Sequence, residues 1–120
     1  MYQLNPTVKI PIYEQVKNMI ILYITQGVYT PHEILPSIRE LASQLAINPN
    51  TVSKAYKDLE QEGYIYSIIG KGSFVSEASE IISLEKTKAL KKFQKSVERC
   101  QKSNISSQDL IKLIKETYHD

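Results

Sequence analysis

Apolar residues at Ile12, Val16, Met19, Ile20, Tyr23 and Ile24 recur every three or four positions, the period of one helix face. The spacing predicts a first helix over residues 11–26, after an arm of residues 1–10. Pro11 suits a first turn, where its missing N–H costs nothing, and Gly27 suits the end. Pro31 and Pro36 exclude a helix between them and leave Ile34-Leu35 as a short strand. A second helix over residues 37–45 buries Ile38, Leu41, Ala42 and Leu45. Its start, Ser37-Ile38-Arg39-Glu40, fits a capping box in which side chain and backbone of Ser37 and Glu40 bond reciprocally. Ala46-Ile47-Asn48 forms the turn, Ala46 being small enough for two helices to approach. Asn48 and Pro49 are a good N-cap and first residue for a third helix, whose buried face is Val52, Ala55, Tyr56 and Leu59 and which Gly63 ends.

The period then changes. Tyr64 to Ile69 and Ser73 to Ser76 are β-prone and flank Gly70-Lys71-Gly72, which predicts a hairpin. Those glycines lack the spacing of a nucleotide-binding loop. Residues 76–83, small and acidic, read as a junction. Beyond them Leu90, Phe93, Val97 and Cys100 form a narrow apolar seam on a helix over residues 84–102, with seven cations on its other sides. Ser103-Asn104-Ile105 breaks this pattern. Ser106 to Asp109 is a second capping-box candidate, opening a helix with Leu110, Ile111, Leu113, Ile114 and Tyr118. Two helices of this size cannot bury their own apolar faces, so they pack on a second copy, on the preceding domain, or on a membrane or other partner.

The fold expected is mainly α with a small β-hairpin wing, in two parts: a helix-turn-helix domain at 1–77 and a two-helix region at 78–120. Its outward third-helix face carries Asn50, Thr51, Ser53, Lys54 and Lys57. An amide, two hydroxyls and two ammonium groups suit base edges and phosphates in a major groove, although an ordinary solvated face has the same composition. The hairpin tip, Gly70, Lys71 and Gly72, offers close backbone approach and one cation for a phosphate strand, or is a plain surface turn.

Charge tempers this picture. The chain of 120 residues has a formal net charge of +2, yet residues 1–78 carry 6 basic and 7 acidic side chains. Bulk charge therefore gives no argument for nucleic acid. One cysteine, Cys100, permits no internal disulfide and fits a reducing cytoplasm. Two histidines and that thiol make no metal site of known spacing, and no cofactor is implied. No apolar run approaches the ~18 residues of a membrane span, and the N-terminal residues do not read as a secretory signal. No paired carboxylates or activated nucleophile suggest an enzyme.

Several ordered blocks together resemble the GntR family of bacterial transcription regulators: Pro11 to Val16, Leu35 to Ala42, Asn50 to Tyr56, Leu59-Glu60, Glu62-Gly63 and Gly70 to Val75. With two short helices in place of a large effector domain, the chain looks like the YtrA-type branch. The resemblance implies a winged-helix repressor acting as a homodimer on a palindromic double-stranded operator, in that branch often of an ABC transporter operon. It implies DNA contacts from Arg39, from Asn48, Asn50, Thr51 and Ser53, and from the wing glycine Gly70, and Ser37 beside Arg39 is a further candidate contact. It also implies dimerisation through the C-terminal helices, here Leu90, Phe93, Val97, Cys100, Leu110, Ile111 and Ile114. Three departures stand out: His32 replaces a common glycine, Pro49 a common arginine, and Ile68-Ile69 a basic residue before the wing. A winged-helix protein-interaction module without specific DNA binding is the alternative, and no feature names a small-molecule effector.

Overall fold

Val16, Met19 and Ile20 face inward from the first helix because they repeat on one side of it, and all three are buried in the computed structural model. The structure describes residues 3–119. Met1, Tyr2 and Asp120, including the start of the expected arm, lie outside the described residues. Helix α1 spans Ile12–Thr25, with Pro11 as its extended N-cap instead of its first helical residue. The arm before it is tied down by Gln15, which is buried. Its side-chain oxygen accepts from the Asn5 amide at 2.7 Å, and its nitrogen donates to the Asn5 and Ile10 carbonyls at 2.8 and 2.9 Å.

Helices α2 (Ile38–Leu45) and α3 (Pro49–Glu62) follow. Of the expected α2 face Leu41 and Ala42 are buried and Ile38 and Leu45 partly so, while Val52, Ala55, Tyr56 and Leu59 of α3 are all buried. The capping box is present, with the Glu40 amide donating to Ser37 Oγ at 3.1 Å. Ala46 closes α2 in a left-handed conformation, φ 55°. The turn thus depends on this residue's backbone as well as on its size. A side chain raises the cost of that conformation, which two bonds offset: the amides of Ala46 and Ile47 donate to the carbonyls of Ser43 and Ala42. Lys17 of α1 pairs with Glu62 and, at 3.9 Å, with Asp58, clamping the first helix to the third.

Strands β1 (Ile65–Ile68) and β2 (Gly72–Val75) pair antiparallel, Ile65 opposite Val75 and Ile68 opposite Gly72. The expected strand at Ile34-Leu35 is only an isolated bridge, Ile34 to Phe74. Backbone bonds on both sides of it, from His32 N to Val75 O and from Leu35 N to Ser73 O, still lay this segment along β2. His32 has φ 66°, so the left-handed turn expected of a glycine is kept by an imidazole. Its Nδ1 lies 2.9 Å from the Tyr66 hydroxyl, and Tyr66 in turn stacks on Phe74.

The expected junction at 76–83 is corrected. Helix α4 spans Ala78–Lys102, starting six residues before the expected 84. Ile81 is buried in the core, and Leu84 packs against Gly63, the left-handed cap of α3. The first compact unit consequently runs past residue 77 to Leu84, and the second begins at Glu85 within α4.

Taken by itself, the second unit comprises the rest of α4 and helix α5 (Ser107–Thr117). Asn104, at φ 61°, makes the turn, and the Ile105 amide closes on the Cys100 carbonyl. Ser106 caps α5 by accepting from the Asp109 amide at 3.2 Å. The reciprocal half of a capping box is absent from this cap, since Asp109 is one methylene shorter than the glutamate of the box. No helix among the described residues is long and apolar enough to cross a membrane.

Candidate nucleic-acid interface

Because Val52, Ala55, Tyr56 and Leu59 are buried, the 3.6-residue period turns Asn50, Ser53, Lys54 and Lys57 outward, and all four are exposed. Gln61 continues this face and is exposed too, a polar position that carries no signal in a sequence pattern centred on the turn. Thr51 is half-buried at its edge.

Capping fixes what the turn residues can still offer. The Asn48 side-chain oxygen accepts from the Asn50 amide at 2.8 Å, so its NH2 group remains as the outward donor. Ser37 Oγ accepts from Glu40, which leaves the hydroxyl proton available to a phosphate oxygen. The Glu40 carboxylate returns to the Ser37 amide, a long contact at 3.4 Å. Arg39, exposed beside them, has no ion pair among the described residues. Its guanidinium presents five N–H donors in a planar fork suited to a guanine edge or a phosphate.

Lys54 is differently placed. Its ammonium lies over the Tyr13 ring, 4.4 Å from the centroid. This contact joins α3 to α1 across 41 positions of sequence and carries no local signature. It holds the cation of this exposed side chain against an aromatic face.

The hairpin meets α2 beside this surface. Ser37, Ile38 and Glu40 from the start of α2 line a cleft of about 340 Å³ with Tyr56 of α3 and Lys71 and Gly72 of the hairpin. Gly70 and Gly72 have φ 78° and 122°, so both tip positions require glycine's freedom. A Cβ on Gly72 would also sit 3.4 Å from Ile34 Cδ1. At the floor the Tyr56 hydroxyl donates to the Pro36 carbonyl at 2.6 Å. Burial pushes that phenol's pKa well up, with Tyr29 and Glu40 adding to the effect, so it stays a donor. The first unit thus carries the α2 start, the outward α3 face and the hairpin tip, each on a capped or paired element, and the cleft joins the first of these to the third. The C-terminal residues Leu90, Phe93, Val97, Cys100, Leu110, Ile111 and Ile114 belong to the second unit.

Residues 12–75 match the family model described as "Bacterial regulatory proteins, gntR family". The chain belongs to the GntR family. Its helix-turn-helix and hairpin are accordingly the winged helix of that family. The HTH-type transcriptional repressor YtrA of Bacillus subtilis is 44% identical over 85 residues, 71% of this chain and 65% of YtrA. The chain thus spans just under two thirds of that relative's length. A transcriptional regulator from Oenococcus oeni is similar along nearly the whole fold, with a TM-score of 0.78, 31% identity and coverage of 97% of this chain and 98% of that one. The DNA-binding domain of AraR, solved in complex with operator ORR3, is similar over 63% of this chain and 92% of that one, with a TM-score of 0.56 and 36% identity. These relatives are transcription regulators, and the family is one of regulators and not of enzymes.

Proposed function

We propose that this protein is a sequence-specific DNA-binding transcription regulator, a repressor that occupies a palindromic operator as a homodimer. What supports the reading is that exposed Arg39, the capped start of α3 and the glycine tip of the hairpin all belong to one compact unit, in which the α2 start and the hairpin tip line one cleft, on a chain similar to a DNA-binding domain solved with its operator. The N-terminal part of α3 enters a major groove, where Asn50, Ser53 and the Asn48 amide meet base edges and Arg39 reads beside them. Thr51 supports the start of α3 at the edge of that face. Lys57, Lys71 and the Ser37 hydroxyl hold phosphates. Lys54 joins them from its place on Tyr13, and Gly70 and Gly72 let the wing backbone lie close to the duplex.

Pairing follows from the second unit. Leu90 and Phe93 are 69% and 50% exposed, and Ile111 and Ile114 are exposed as well, so a single chain leaves the seam uncovered. Covering it with the same surface of a second copy forms a two-fold dimer, with Val97, Cys100 and Leu110 completing the interface. The two-fold axis dictates the operator symmetry, and half-sites lie about 34 Å apart or at a related spacing. Occupying a promoter in this way represses it without chemistry. An ABC transporter operon is the target class expected from the likeness to YtrA.

Cleavage protection on duplexes selected from a random pool tests the reading. It should give two protected half-sites related by a dyad, with major-groove contacts one helical turn apart. Protection of one asymmetric site, or selection of no common sequence, would contradict it.

A further inference from the structure

The positive charge of this chain is concentrated in its second unit. Between Glu85 and Lys102, α4 carries seven cations and two acids, whereas residues 1–78 hold one more acid than base. The arrangement is sharper than the count. At 3.6 residues per turn, Lys88, Lys91, Lys92, Lys95, Arg99 and Lys102 fall within one arc about 100° wide, and within that stretch no other residue falls in it. All six are exposed. Leu90, Phe93, Val97 and Cys100 occupy the opposite side of the same helix, so pairing through the seam would leave both arcs in water.

A helix face built for solubility alone mixes signs, because glutamates four residues from lysines support the helix and like charges at that spacing oppose it. Here only Lys88 has a carboxylate partner among the ion pairs of the described residues, Glu85 at 3.6 Å. Glu85 and Glu98 flank the arc, Glu98 four residues before Lys102, but two carboxylates against six cations leave most of its repulsion uncompensated, which a polyanion would relieve. Cations about one turn apart, roughly 5 Å along the axis, suit a run of phosphates better than a discrete anion. An anionic bilayer is the weaker candidate: an interfacial helix inserts its apolar face, and here that face is the seam opposite the cations.

We infer that the basic arc of α4 is a second, sequence-independent surface for the DNA backbone, separate from the winged helix. The inference rests on the DNA-binding reading of the first unit and supplies the affinity which that unit's charge does not. It assigns base discrimination to α2, α3 and the wing, and much of the salt-sensitive attraction to α4.

The test compares full-length protein with a variant carrying Lys91→Gln, Lys92→Gln, Lys95→Gln, Arg99→Gln and Lys102→Gln. Sedimentation and circular dichroism first establish that the two share helix content and assembly state. Each is titrated, at several salt concentrations, against the selected site alone, the site with flanks of about two helical turns, and a scrambled duplex of that longer length. For the parent protein, flanks should raise affinity by at least tenfold. In the variant that gain should vanish, and the slope of log affinity against log salt should fall by about 0.9 for every phosphate that α4 no longer neutralises. The ratio of selected to scrambled affinity should stay the same. Equal slopes in the two proteins overturn the inference, as does a parent indifferent to flank length. If the variant misfolds, this parent comparison decides alone. Binding of the parent to phosphatidylserine vesicles with no flank effect would reassign the arc to a membrane. A parent that prefers no sequence yet gains affinity with length would contradict the regulator reading and leave the arc's role standing.

Discussion

Phe93→Lys combined with Val97→Lys yields monomers and lowers affinity for the operator by about 10²–10⁴-fold, the loss expected when a linked second binding event is removed. Both positions lie on the uncovered seam of α4, where Phe93 is 50% exposed within one chain. Their replacement thus leaves the chain's own core intact, and helix content by circular dichroism should hold. In the proposed dimer, by contrast, two ammonium groups per protomer would enter an apolar interface without carboxylate partners, which disfavours pairing by several kcal/mol. Each winged helix then binds a half-site alone, with only the modest field of a unit of net charge −1 over residues 1–78. Sedimentation checks the assembly and fluorescence titration the affinity. A dimer that survives both lysines would move the seam to α5 or elsewhere.

Arg39→Ala should cost about 1–3 kcal/mol of specific binding, roughly 5- to 150-fold in affinity, while stability stays nearly constant. The side chain is exposed at the start of α2 and has no ion pair to lose among the described residues, and the Ser37–Glu40 capping box beside it remains intact. The change should be largest on the selected site and small on random duplex, because a base contact discriminates and a phosphate contact does not. Lys57→Gln should show the contrasting pattern, weakening all duplexes together. Unchanged operator affinity for a folded Arg39→Ala protein would remove Arg39 from the interface.

The features legible in the sequence are the local ones. Caps at Ser37 and Asn48, the apolar faces of α1 to α3, and the glycine-flanked hairpin all depend on residues within a few positions of one another. What escapes depends on distant partners. The first two turns of α4 look like a junction because Ala78 to Ser83 are mostly small or acidic. They are helical, with Ile81 in the core of the first unit and Leu84 against the cap of α3. Lys54 looks like a free phosphate ligand, and only the packing of α1 beside α3 reveals Tyr13 beneath it. Gln15 carries no signal in the apolar pattern, yet it is buried and ties the arm by three bonds. His32 raises a doubt about turn geometry, and the structure answers with a left-handed backbone at His32 whose imidazole lies within hydrogen-bond distance of the Tyr66 hydroxyl.

These particulars divide the proposed labour of the chain. The winged helix supplies shape and donors for discrimination but little net attraction. On this proposal its action depends on a second copy through the seam and on the charge carried by α4.

The most direct test of that account is a fluorescence titration of the full-length protein against its selected duplex and a scrambled duplex of equal length, across rising salt. The account predicts a preference for the selected duplex of at least about 10³-fold, an affinity that falls linearly in log–log form with salt, and two protomers per duplex at saturation. Equal affinity for the two duplexes, or binding indifferent to salt, would contradict it.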